Sequence, residues 1–185
     1  RTRTILRANS KLSSGFIADT KGEIRAANAY DSKNNSLDQY VRLSTDDEWE
    51  LIYKNRADNR ERYDFLSFSV ENPQEIYISA NRGEDTTGIY TYNIGTKAYS
   101  EKLFGLKNVD VDGVVLSRKD NDRGRLLGFS YTGKEPSVSW LDEYEQNLRD
   151  AVDAAFPNKF VSLDSRSEDD SQIIIRTRAD NDPGT

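Results

Sequence analysis

Three acidic turns hold the residues best suited to chemistry in this chain: Asp110-Val111-Asp112-Gly113, Asp120-Asn121-Asp122-Arg123-Gly124 and Glu168-Asp169-Asp170. Grouped carboxylates are the raw material of a calcium site, which takes about six to eight oxygen ligands, and an EF-hand loop closes on a glutamate at its twelfth position. Counting twelve from Asp110 reaches Asn121, and from Asp120 reaches Tyr131, so neither loop has that register. Asp, Asn and Gly also form turns by hydrogen-bonding their own backbone, and these segments are expected to be turns. A carboxylate pair could serve a glycosidase, but 32 acidic residues create pairs by chance. No catalytic, metal-binding, cofactor-binding or substrate-binding residue is assigned, and no cofactor is expected.

What is missing narrows the chemistry further. There is no histidine, so no Ser-His-Asp relay can be assembled within these residues, and no cysteine for a thiolate, a disulfide or a Cys-rich zinc site. Arg56, Arg60 and Arg62 form a short basic stretch, but Asp58 and Glu61 flank it and a solvated loop is expected. With 26 basic against 32 acidic residues the net charge is −6, which argues against a nucleic-acid surface. Asn34-Asn35-Ser36 matches a glycosylation sequon. The chain lacks methionine even at position 1, so it is expected to be a cut piece of a longer polypeptide, and the compartment is left open between periplasm and cytoplasm.

The elements that must position these residues are mostly strands. The 185 residues are ample for one core, and although only 35% are apolar, nearly balanced charge and 10% aromatics argue against disorder. No apolar run approaches the roughly 18 residues that span a bilayer, so a soluble chain is expected. Strand-like runs fall at 15–19, 24–30, 40–43, 49–53, 65–70, 76–80, 89–94, 99–104, 113–116, 126–131, 136–140, 160–163 and 172–178, separated by turn clusters. Alternation is clearest in 65–70 and 89–94. Residues 142–156 differ: Tyr144, Leu148, Ala151, Val152 and Ala155 recur at helical spacing, Asp142 can cap the start, and Pro157 stops the run. One amphipathic helix is expected there, covering a sheet edge or one end of the fold.

A repeat organises the strands. Phe16, Phe65, Val114 and Phe160 each open a strand–turn–strand unit, at intervals of about 49, 49 and 46 residues, the length of a four-stranded propeller blade. The expected fold is all-β: a partial β-propeller of about three and a half four-stranded antiparallel blades over residues 1–185, with the helix inside the third unit. The fourth unit reaches only its second strand before the Asp182-Pro183-Gly184-Thr185 turn. Unclosed sheet edges invite pairing, so self-association through those edges is expected.

Certain stretches carry a resemblance. Residues 73–82, Pro-Gln-Glu-Ile-Tyr-Ile-Ser-Ala-Asn-Arg, continue to Gly88-Ile89-Tyr90-Thr91-Tyr92. Gly128-Phe129-Ser130-Tyr131 leads past Trp140-Leu141-Asp142 to a helix ending at Ala155-Phe156-Pro157, and Ile173-Ile174-Ile175-Arg176 leads to Asp180-Asn181-Asp182-Pro183-Gly184-Thr185. In this order, over roughly residues 15–185, they resemble the N-terminal propeller of bacterial prolyl oligopeptidase-family serine peptidases of the dipeptidyl aminopeptidase and acylaminoacyl-peptidase type.

The resemblance implies an α/β-hydrolase domain after residue 185, with a Ser-Asp-His triad and a Gly-x-Ser-x-Gly elbow. The propeller would restrict access so that short peptides reach the triad, and would help bind them. None of that catalytic machinery falls here. The nearest string, Gly128-Phe129-Ser130-Tyr131-Thr132, lacks the second glycine and sits in an expected strand. Some dipeptidyl peptidases hold a substrate ammonium with propeller glutamates, which draws notice to Glu143 and Glu145. Two positions apart on a helix, they face different ways, and charge complementing the helix dipole is the expected role. The implied reading is a noncatalytic segment of a serine peptidase, with its hydrolase domain and peptide substrates as partners and neither nucleic acid nor membrane. The alternative is a stand-alone propeller-like protein-binding module.

Overall fold

The computed structural model describes residues 12, 14–56, 58 and 60–179. They form a partial, propeller-like all-β fold of four antiparallel sheets. Sheet 1 is a meander of β1 (Ser14–Ala18), β2 (Ile24–Asp31), β3 (Ser36–Val41) and β4 (Glu50–Arg56). Sheet 2 holds β5 (Tyr63–Phe68), β6 (Glu75–Ala80), β7 (Gly88–Asn93) and the short β8 (Ala98–Tyr99), with β9 (Phe104–Gly105) also on β7. Sheet 3 is β10 (Val111–Leu116), β11 (Leu126–Thr132) and β12 (Pro136–Trp140). The helix α1 (Glu143–Ala155) follows, and then the two-stranded sheet 4, β13 (Phe160–Arg166) with β14 (Ile173–Arg178).

Sheet 2 is sandwiched, and its sequence shows why. On β6, Ile76, Ile78 and Ala80 point to one face and meet Ala26 and Val41 of sheet 1, while Tyr77 points to the other and joins Val111 and Phe129 of sheet 3. On β7, Tyr90 and Tyr92 face sheet 1 and Ile89 faces sheet 3. Alternation still sets which residue goes where, but both sets are apolar because both faces are covered. The Phe104 and Phe129 rings stack at 4.8 Å across the second interface, where Ser79 also donates to the Val111 carbonyl at 3.1 Å.

A buried arginine crosses the first interface. Arg25, 4% exposed, donates to the Pro73 carbonyl at 2.7 Å, pairs with Asp19 at 3.2 Å and lies 4.8 Å over the Phe68 ring. Its charge is tolerated because its N–H groups donate to Asp19 and to the Pro73 and Arg42 carbonyls while one face lies on Phe68.

Several expectations need correcting. The strand expected at 40–43 is β3 and begins at Ser36, because its polar residues find partners inside: Ser36 donates to Asp38 at 2.7 Å and the Gln39 amide nitrogen donates to the Tyr63 carbonyl at 2.9 Å. The strand expected at 99–104 splits into β8 and β9. Between them the Ser100 hydroxyl accepts from the Thr91 amide at 2.9 Å, taking a position a backbone carbonyl would fill. β9 also lies so close to Gly88 that a Cβ there would sit 2.9 Å from the Phe104 carbonyl oxygen. The third unit is a three-stranded sheet rather than a four-stranded blade, and α1, expected inside that unit between its strands, follows it in the chain, between sheets 3 and 4.

The helix obeys its signals at both ends. Asp142 accepts from the Glu145 amide at 3.0 Å as N-cap, and α1 stops at Ala155, just ahead of Phe156 and Pro157. Its buried face is not the expected stripe. Val152 is buried, but Tyr144 is 51% exposed and Ala151 and Ala155 face solvent, while Glu145 is 6% exposed. A cation on the neighbouring hairpin draws that face inward, as described below. The Asp182-Pro183-Gly184-Thr185 turn lies outside the described residues.

Candidate functional site

Beyond sheet 3 the packing changes. Neither apolar core includes a residue of α1 or of β13 and β14. Instead a groove of about 870 Å³ runs between β11 and β12 on one side and α1 and the hairpin on the other. Val138 and Trp140 line the sheet wall, Phe160 and Leu163 the hairpin wall, and Arg149, Asp150 and Asp153 come from the helix. Most of its charges are already engaged. Arg149 pairs with Asp153 at 2.6 Å and donates to the Val161 carbonyl at 2.8 Å, and Gln146 donates to Asp150 at 2.8 Å. Arg178 lies 5.5 Å over the Phe160 ring. The groove is amphipathic and mixed in charge, suited to a flexible polar chain with some apolar side chains.

A network of ions stands beside it. Glu145 of α1 takes two hydrogen bonds from the Arg166 guanidinium, at 2.6 and 3.1 Å. Arg166 also lies 3.3 Å from Asp170, which receives the ammonium of Lys119 from the β10–β11 turn. Lys119 in turn sits 5.3 Å over the Tyr144 ring. The Asp120 amide donates to Glu168 at 2.6 Å, and Arg125 donates to the cap Asp142 at 2.9 Å. Burial works to raise the Asp170 carboxyl, but hydrogen bonds from Lys119 and Tyr144 and the nearby charges of Arg166 and Lys119 hold it below the usual range. The Lys119 ammonium is held above its usual range, chiefly by its bond to Asp170. Asp142 is lowered first by the Glu145 amide and then by Arg125.

The structure thus joins two of the three acidic turns that the sequence singled out. Residues 120–124 and 168–170 come together through Lys119, Asp120, Glu168 and Asp170, with cations supplied by the protein itself. Within the first of them, Ser117 donates to Asp122, lowering its carboxyl, with Arg125 at 2.8 Å contributing next. The third turn goes elsewhere: Asp110 accepts from Arg62 at 2.7 Å and from the Thr87 amide at 2.8 Å, and Asp112 accepts from Thr132 at 2.8 Å. Among the described residues no group of three or more acidic side chains is arranged to hold a metal ion.

The remaining sequence candidates separate. Arg56 pairs with Asp58 at 3.2 Å and Arg62 with Asp110, so these two arginines do not converge. Glu143 is exposed while Glu145 turns inward to Arg166, in keeping with their different faces, and Glu145 is an internal counter-ion. Ser130 lies within β11, and its neighbour Gly128 is required by close packing: a Cβ there would meet the Ser139 carbonyl oxygen at 2.6 Å. In the sequon, Asn34 is exposed on the β2–β3 turn, its amide bonded to Asp31 at 2.6 Å, while Ser36 is buried. Sequence reasoning missed Lys119 and Arg166; their only mark was a cation just before each acidic turn, Lys119 next to Arg118 and Arg166 two residues ahead of Glu168.

No protein-family model, curated protein or solved structure matches the chain in comparisons with known proteins. Among the described residues no helix is long and apolar enough to cross a membrane.

Proposed function

We propose that this chain is a noncatalytic propeller segment of a prolyl oligopeptidase-family serine peptidase. In this reading it limits access to an α/β-hydrolase domain elsewhere in the same polypeptide and helps bind its peptide substrates. The observation that supports it most is the stacking of successive meander sheets, face on face and in chain order, through apolar cores shared by neighbours. That is the packing of propeller blades, each of which cannot cover its own faces. The sequence order of sheet, helix and hairpin in the resembling stretches supports the same reading. Chemistry would then be acyl transfer at a serine outside residues 1–185, and this chain would filter substrates by size.

The test uses the full-length polypeptide that contains this segment. It is treated with a serine-reactive fluorophosphonate, the label is mapped by peptide mass, and cleavage of short chromogenic peptides is followed. Labelling at a serine beyond residue 185, with loss of peptide cleavage, is expected. No label and no cleavage would overturn the peptidase reading and leave a protein-binding propeller module.

A further inference from the structure

We propose that α1 and the β13–β14 hairpin form one body that is latched onto sheet 3 by ions, so that the groove between them opens when the Lys119–Asp170 latch is weakened. Two sets of contacts carry this. The first holds the body together: Glu145 and Arg166 form their two-bonded pair, and Arg149 reaches the Val161 carbonyl. The second joins the body to sheet 3 and is polar wherever it is made by the acidic turns: Lys119 to Asp170, the Asp120 amide to Glu168, and Arg125 to Asp142. β13 and β14 approach mainly each other, and neither contributes to the apolar cores that join sheets 1, 2 and 3.

The consequence is mechanical. An interface of apolar area resists separation in proportion to the surface it buries, and rigid cores are poor hinges. A few ion pairs around an open groove give a small difference between closed and open states, so a minor open population of about 0.1–10% is accessible. The latch sits at one end of the hairpin, on its turn, while the groove lies along its strands. Releasing the turn therefore frees the wall carrying Phe160 and Leu163 to move away from Val138 and Trp140. The device needs no particular occupant and is independent of the peptidase reading.

The absence of cysteine makes the test clean. Spin labels at Ser137→Cys on β12 and Ser162→Cys on β13 stand at two positions that line the groove, one from the sheet and one from the hairpin, and a control pair at Thr20→Cys and Thr96→Cys reports sheets 1 and 2. Pulsed dipolar distance distributions are recorded in low and high salt, and with Lys119→Gln or Asp170→Asn. Asn suits position 170, whose φ of 56° lies in the left-handed region that Asn tolerates. Expected is a rise of about tenfold in the open-to-closed ratio of the groove pair for Asp170→Asn, less for Lys119→Gln, and a smaller rise in high salt, since partly buried pairs are screened weakly. The double variant should open little further than Asp170→Asn, because both substitutions break one contact. A groove distribution unchanged by salt and by both variants overturns the proposal. So does a control pair that loosens in step with the groove pair, which would mean general destabilisation. If a variant fails to fold, the salt series on the otherwise unsubstituted chain decides by the same criterion.

Discussion

Two interfaces of this molecule are built from opposite materials. Between sheets 1 and 2, Ile76, Ile78, Tyr90 and Tyr92 interleave with Ala26 and Val41. Between sheet 3 and the helix–hairpin body, the contacts made by the acidic turns are Lys119, Asp120, Arg125, Asp142, Glu168 and Asp170, beside an open groove. The first gains from every buried methylene and has few alternative arrangements. The second gains little net energy per pair, because each ion gives up hydration to form it, and depends on charge state. The contrast teaches where stability resides and where adjustability resides: the stacked sheets form a frame, and the last body is attached to it by chemistry that pH can reach.

The strongest way to break this comparison is to damage the frame. Phe68 is 2% exposed between sheet 1 and sheet 2, beneath the Arg25 guanidinium. Phe68→Ala should cost about 3–5 kcal/mol, the range for emptying an aromatic site in a core, read as a lower midpoint in urea unfolding. A loss under about 1 kcal/mol would mean that the two sheets do not depend on each other. Arg25→Ala comes next, at about 3 kcal/mol, since truncating one member of a buried pair leaves its partner uncompensated. Asp19 would keep its bonds from the Lys21 and Glu23 amides, at 2.9 and 3.0 Å, which places the cost at the low end of that class. The same unfolding measurement checks it.

Acid sharpens the comparison without any substitution. Asp142 and Asp170 have folded-state values below their unfolded ones, so their contribution is present above the unfolded value, near pH 4, and is lost as pH falls through the folded values. Lys119 lies on the other side: its value is raised, so its contribution is complete below about pH 10 and lost only as pH climbs past the folded value. The latch is therefore intact across neutral pH and fails first in acid. In two-dimensional amide NMR, signals of β13 and β14 should move or broaden below about pH 4 before those of β6 and β7. Simultaneous loss would show that the body and the frame unfold as one.

How much of this was legible in the sequence follows the same division. The frame was readable because its strands are apolar or alternate cleanly, as in 65–70 and 89–94, and because 49-residue spacing repeats the unit. β3 was half missed, since Ser36, Asp38 and Gln39 look like a surface turn and reveal themselves as interior only through partners such as the Tyr63 carbonyl. The helix was placed to within a residue at each end by Asp142 and Pro157, but its orientation was not. Hydrophobic spacing put Tyr144 inside, whereas Arg166, twenty-one residues onward, pulls Glu145 in instead. Ion pairs distant in sequence leave no periodicity, so the latch and the groove it borders were invisible until the chain was folded.

The smallest expected effect tests whether the body is energetically separate. Asp142 caps α1 through the Glu145 amide and receives Arg125 of the β10–β11 turn through its other oxygen, so it belongs to the helix and to the latch at once. Asp142→Ala should cost about 1 kcal/mol, the usual loss for an N-cap. If the body opens by itself, that cost falls on local opening: amide exchange in the first turns of α1 should speed up about fivefold, while exchange in β6 and β7 stays unchanged, because a cooperative unit carries its own opening energy. Asp142→Asn separates the two roles, since Asn keeps the cap but loses the charge facing Arg125. Helix exchange near the native rate with Asn, and fast with Ala, assigns the effect to the cap. Equal acceleration in both variants assigns it to the ion pair, and equal acceleration in β6 and β7 would erase the boundary between frame and latch.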